Sequence, residues 1–345
     1  MKRKLVTVLA LFSIVGCAAF AQTFNVWNEV RLTIEGSKTS IGSISTSTGP
    51  NLALRNRAHG TVTFGKFTVE ARYDLTIPFT KGATAKSEAK KANLYWRPFD
   101  MLEIVFGNDY TRALAGGYIT DARDDIGPQS YFGVAQYGKS GFTVGFTGVP
   151  GLIVAASLPG GTEFSKNIFI NAAINYFIEP AGVNIGAAYG RNTDRYYDTA
   201  KGDGGIGVYV DFTKVQGLRL AAGVTYMTMP KAVNIGAAFT YDFEVVKLDL
   251  DFDIDAGRSG VTPFNIFGGV SGKVSGFKWF VNAGFCSKPL AGVGYDWFFK
   301  IKPGVSYRLG NHGFFAEAVF GYGKGAGDMS VFTYEIPVYW RYYFN

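Results

Sequence analysis

Asp249, Asp251, Asp253 and Asp255 stand two residues apart. On an extended backbone that spacing places all four carboxylates on one face. Asp242 and Glu244 precede them on the neighbouring segment, and a second group of charges lies far away in sequence. There Arg31, Arg55, Arg57 and Arg72 are interspersed with Glu29, Glu35, Glu70 and Asp74. Rows of like charge at close quarters are how pores select ions. An arginine cluster opposite an acidic ladder would therefore create a transverse field that orients polar solutes. Two other readings of the ladder stay open: it could simply solvate a polar wall, or gather Ca²⁺. The second needs several oxygen ligands, and the glycine turn and ligand spacing of a dedicated calcium loop are missing.

Other chemistry finds little footing. His59 and His312 are the two histidines, and neither has a cysteine or carboxylate at metal-ligand spacing. Gly204-Gly205 and Gly268-Gly269 lack the strand, loop and helix context of a phosphate cradle. No Ser-His-Asp grouping can be placed from the spacing, so the chain does not read as an enzyme and implies neither cofactor nor metal.

The elements that must hold these charges repeat with a period of two. Phe67, Val69, Ala71, Tyr73, Leu75 and Ile77 alternate with Thr68, Glu70, Arg72, Asp74 and Thr76. Similar runs follow along the chain, each a strand with one apolar and one polar face. Only 18% of the residues are charged, and 45 glycines, 30 phenylalanines and 20 tyrosines are present. An average protein is about a quarter charged, and a disordered one is poor in aromatics. Neither description fits. No basic run suggests nucleic acid as a partner.

About 18 strands are predicted, with 16 as the alternative. They run from 24–36 to 331–344 and include 52–65, 130–138, 141–149 and 168–178. Tight connections such as Gly65-Lys66 and Ser275-Gly276 alternate with longer segments: Ser37 to Pro50, Ala113 to Gln129, Pro150 to Lys166 and Asn192 to Asp203. A soluble sandwich would have to pack so many charged faces into a core, where each charge must be paired or neutralised. A closed barrel with its apolar face in lipid and its polar face in water has no such difficulty, and it leaves no strand edge unpaired. The fold class is therefore all-β: a transmembrane antiparallel up-and-down barrel with short periplasmic turns and longer extracellular loops. At 16 to 18 strands such a barrel encloses an aqueous channel. Ala113 to Gln129 and Pro150 to Lys166 are the candidates to narrow it.

Residues 1–21 read as a cleaved secretory signal, with 22–345 as a single barrel domain. Lys2, Arg3 and Lys4 precede an apolar stretch from Leu5 to Cys17, and Ala19-Phe20-Ala21 is a cleavage site. Its removal lowers the formal charge from 34 − 27 = +7 to 31 − 27 = +4. Cys17 after Gly16 leaves lipidation open. If Cys17 is removed, Cys286 is the remaining cysteine and no intramolecular disulfide can form.

On the last strand Phe332, Tyr334, Ile336, Val338, Trp340, Tyr342 and Phe344 share one face. This run resembles the C-terminal strand of bacterial outer-membrane β-barrel proteins, except that Asn345 follows the final aromatic residue. The resemblance to porin-type proteins covers nearly the whole mature chain. It implies a bacterial outer-membrane location, lipid and the barrel-assembly machinery as partners, and Trp340, Tyr342 and Phe344 as the assembly signal. It also implies passive diffusion of small polar solutes or ions, with a homo-oligomer compatible. The rival expectation is a surface adhesin or binding protein whose loops meet a partner and whose barrel is only a base.

Overall fold

The computed structural model describes residues 23–80, 82–107, 120–126, 141–159, 171–190, 205–227, 231–257, 262–287, 295–325 and 327–344. The alternating stretches become antiparallel strands. The first nine are β1 (Thr23–Ile41), β2 (Ile44–Phe64), β3 (Phe67–Pro78), β4 (Lys86–Phe99), β5 (Leu102–Gly107), β6 (Gly141–Phe146), β7 (Leu152–Pro159), β8 (Asn171–Ile178) and β9 (Val183–Gly190). The next seven are β10 (Gly205–Phe212), β11 (Leu218–Met227), β12 (Ala232–Asp242), β13 (Val246–Ala256), β14 (Phe264–Val274), β15 (Phe277–Ser287) and β16 (Tyr295–Leu309). Two segments, His312–Glu317 and Val319–Gly325, pair with the same two neighbours and form β17; β18 is Met329–Phe344.

Each strand pairs with its sequence neighbours, and β1 pairs with β18 from Val26↔Phe344 to Ser40↔Ser330. The sheet thus closes into an 18-stranded barrel without a free edge, as hydrocarbon demands. Prolines explain the interruption of β17. Pro303 on β16 and Pro337 on β18 stand beside the break at Ala318, and neither has an N–H to give the ladder. The Ala318 N–H donates instead to the Pro303 carbonyl at 3.0 Å.

Strand β13 shows how the faces divide. Leu250 is 52% exposed on the outside, whereas Asp251 is wholly buried on the inside. Leu248, Phe252, Ile266, Val281 and Phe299 continue the outward apolar surface. Leaving such side chains in water would cost about 1.5–3 kcal/mol each, so this face belongs in lipid. Rows of aromatic rings mark both borders of the band. Phe64, Phe67 and Trp96 lie in one row with centroids 5.8 and 6.0 Å apart. Phe264, Phe285, Trp297 and Tyr322 form another at the opposite strand ends, spaced 5.5, 6.0 and 5.6 Å. Aromatic girdles of this kind sit at the two membrane interfaces. Asn28 and Asn56 are on the outward face too, and their amides bond reciprocally at 3.3 Å, which offsets their desolvation.

Several sequence expectations need correction. Pro150 to Lys166 is not a long loop, because β7 occupies Leu152–Pro159; its run of Ala155, Ala156 and Ser157 blurs the apolar-polar contrast. Ser37 to Pro50 is mostly hairpin. β1 and β2 extend to Gly42-Ser43, with Ser37 paired to Thr48 and their hydroxyls 2.6 Å apart. The expected strand 130–138 and the loop Asn192 to Asp203 lie outside the described residues, as do residues 1–21. β5 pairs directly with β6, and a connection runs between them. That connection contains a helix, α1 (Asp121–Ile126), too short to leave a helical period in the sequence.

Candidate functional site

Helix α1 has only six residues, too few to be stable alone in water, so its position depends on what it touches. Thr120 caps it: the Arg123 N–H donates to Thr120 Oγ1 at 3.3 Å, the usual service of a threonine at that place. Ala122 lies against Gly269 of β14. A Cβ at Gly269 would come within 2.9 Å of Ala122 Cβ and 2.4 Å of Asn282 Oδ1, so the close approach requires glycine. The helix packs against β13 to β16 on the face opposite the exposed leucines and phenylalanines. It therefore lies inside the barrel.

Arg123, itself buried, fastens α1 to the acidic ladder. Its Nη1 is 2.6 Å from Asp251 Oδ1 and its Nη2 2.8 Å from Asp253 Oδ1, while its Cζ stands 5.3 Å from the Phe267 ring centroid. The Thr120 N–H donates to Asp251 Oδ2 at 3.2 Å. Asn234 donates to Asp253 at 3.0 Å and to Asp255 at 2.7 Å, Asn265 to Asp253 at 3.0 Å, and Thr240 to Asp249 at 2.5 Å. All four ladder carboxylates are buried and bonded. Two lysines secure the helix ends: Lys247 lies 2.5 Å from Asp121, and Lys302 lies 2.5 Å from Asp125.

A second charged patch on the inner face is an arc of cations on β18, β1, β2, β3 and β4. Register places Arg341, Glu29, Arg57 and Asp74 in one row across four strands. Tyr339, Arg31 and Arg55 form the row on one side, and His59, Arg72 and Lys91 the row on the other. Glu29 is wholly buried and accepts from Arg341 at 2.6 Å and Arg55 at 2.8 Å, with Arg31 at 3.4 Å. Asp74 takes a two-pronged bond from Arg57 at 2.8 and 2.9 Å, the geometry that suits a guanidinium. Glu70 accepts from Lys91, Asn93 and Tyr95 at 3.2, 2.9 and 2.9 Å and lies 3.0 Å from His59.

Arg31, Arg55, Arg57, Arg72, Lys91 and Arg341 thus share Glu29, Glu70 and Asp74, while Glu35 and Glu335 pair across β1 and β18 farther along the same inner face. The Nε atoms of Arg31 and Arg72 stand 3.4 Å from Glu29 and 3.7 Å from Asp74. Rings face the guanidinium groups: Arg31 Cζ is 4.2 Å from the Tyr339 centroid, and Arg341 Cζ is 4.5 Å from that of Trp27. Lys302, Glu317 and Tyr339 join the two walls. Lys302 is 3.1 Å from Glu317, and the Tyr339 hydroxyl donates to Glu317 at 2.8 Å.

Sequence spacing brought Asp249, Asp251, Asp253 and Asp255 together, and likewise Arg31, Arg55, Arg57, Arg72 and Glu70. Asp242 and Glu244 do not join the ladder. Asp242 ends β12, exposed, and accepts from the Glu244 N–H at 2.8 Å. Glu244 sits in the following turn at φ 72°. Arg123, Asp125, Lys302, Glu317 and Arg341 escaped the sequence reading. A threonine cap before Asp121-Ala122-Arg123 was the available signal for the helix. Trp340 and Phe344 are exposed on the outward face, with Tyr342 between them and ring centroids 6.2 and 4.7 Å apart along the row.

The fold is that of a transmembrane β-barrel of the bacterial outer-membrane type. It is similar to Pseudomonas aeruginosa OccK9 (OpdG), with a TM-score of 0.64 at 9% identity, covering 94% of this chain and 100% of that one. P. aeruginosa OpdQ matches with a TM-score of 0.62 at 9% identity over 94% and 99% of the two chains. The P. aeruginosa outer-membrane protein OpdK has a TM-score of 0.60 at 12% identity over 94% and 100%, and its structure with vanillate is also similar, at 0.55. No family model and no curated protein sequence matches the chain.

Proposed function

We propose that the barrel is a water-filled channel for passive diffusion of small hydrophilic solutes, with a preference for anions. An 18-stranded barrel is wide enough for an aqueous bore, and α1 on its inner wall narrows it. The observation that carries the preference is the unequal reach of the two charged walls. Arg31 and Arg72 keep 21% and 22% of their side-chain surface accessible, whereas Asp251 and Asp253 keep 0% and 3%. A hydrated solute passing through meets guanidinium groups on one side and, on the other, a helix whose accessible Asp121 and Asp125 are each paired with a lysine, Lys247 and Lys302.

Small carboxylates suit this lining. A guanidinium holds a carboxylate through paired N–H groups. The complex of OpdK with vanillate, an aromatic carboxylate, supports this reading by analogy of fold.

Liposome swelling and bilayer recording test the proposal. Vesicles carrying the protein should swell in small sugars, and a KCl gradient should give a reversal potential of anion-selective sign. A barrel that only supports adhesive loops would admit no sugar and carry no current.

A further inference from the structure

We infer that Arg123 fixes the sign of the channel's selectivity, acting as the counter-ion that withholds the β13 aspartates from permeating ions. The inference rests on the channel reading proposed above. Asp249, Asp251, Asp253 and Asp255 face the bore from one strand, and four carboxylates in a row would otherwise form a cation-attracting stripe. Arg123 comes from a different part of the chain, 128 positions before Asp251. Its two terminal nitrogens reach the two central carboxylates at 2.6 and 2.8 Å. With 1% of its own side chain accessible, it offers no free charge to an ion. The outer two carboxylates are held by neutral donors, Thr240 and Asn234, and Asp249 also has Lys247 at 3.5 Å.

Arg123 therefore holds α1 over the stripe and supplies the positive charge at its centre. Losing that charge unmasks Asp251 and Asp253 on one wall while the arginine arc on the other is unchanged. The pore would then present two unpaired carboxylates in addition to the lysine-paired Asp121 and Asp125, and its preference would move toward cations.

The experiment measures reversal potentials in a KCl gradient for the whole barrel and three variants. Arg123→Gln should raise the cation-to-anion permeability ratio about fivefold, an effect of the order expected for one unit charge at a partly hydrated wall. Arg123→Lys, which keeps the charge, should stay close to the parent. The triple variant Arg123→Gln, Asp251→Asn, Asp253→Asn should return to the parent's anion preference, although its helix has lost the same anchors. An unchanged ratio in Arg123→Gln overturns the inference. So does a shift that persists in the triple variant, because a displaced helix rather than an unmasked charge would then be responsible. A parent protein that conducts nothing would instead defeat the channel reading itself.

Discussion

The arginine arc of β18 to β4 and the aspartate ladder of β13 are both rows of charge on the inner faces of strands, yet the lumen meets them differently. In the arc, Glu29 and Asp74 are each met by more than one arginine, Glu70 by Lys91, and cationic surface stays accessible. In the ladder, the carboxylates are covered by a helix that brings its own arginine. The sign of a row of side chains thus does not decide what a pore displays. What decides it is which partner arrives from elsewhere in the chain, and how much of each charged side chain stays accessible.

The balance of charge in the arc depends most on Glu29. Glu29→Ala removes the shared acceptor of Arg55 and Arg341, with Arg31 close by, and leaves their charges uncompensated. Stability should fall by about 3 kcal/mol, as in other broken ion pairs at buried positions, seen as a lower urea midpoint in detergent micelles. Leu250→Arg tests the premise beneath both walls, that ladder residues point inward because their neighbours point into lipid. A charge on the lipid face near the bilayer centre should cost about 2–4 kcal/mol, measured by the same unfolding transition. Gly269→Val separates packing from charge on the ladder side. The added carbons meet Ala122 and Asn282, so stability should fall by about 1–3 kcal/mol and single-channel conductance should rise as α1 is displaced. Arg72→Gln is the mildest change. It should shift stability by less than about 0.5 kcal/mol while reducing anion preference in bilayer recordings.

Much of this architecture was legible in the sequence because a strand projects alternate residues to opposite faces. Phe67 to Ile77 and Leu248 to Ile254 show that alternation plainly. β7 was not legible, since alanine and serine carry too little polarity contrast to mark two faces. The hairpin at Gly42-Ser43 was hidden by its serines and threonines, which suit loops and strands alike. The ladder could be seen as a row, but its partner could not. A six-residue helix has no period to detect, and nothing local to Asp251 points to Arg123.

The measurement closest to the central claim compares the parent channel with the double variant Arg31→Gln, Arg72→Gln in one KCl gradient. The accessible arc predicts an anion-selective reversal potential for the parent, and a value much nearer zero once those two guanidinium groups are gone. A parent that is cation-selective, or a double variant with an unchanged potential, would contradict the account.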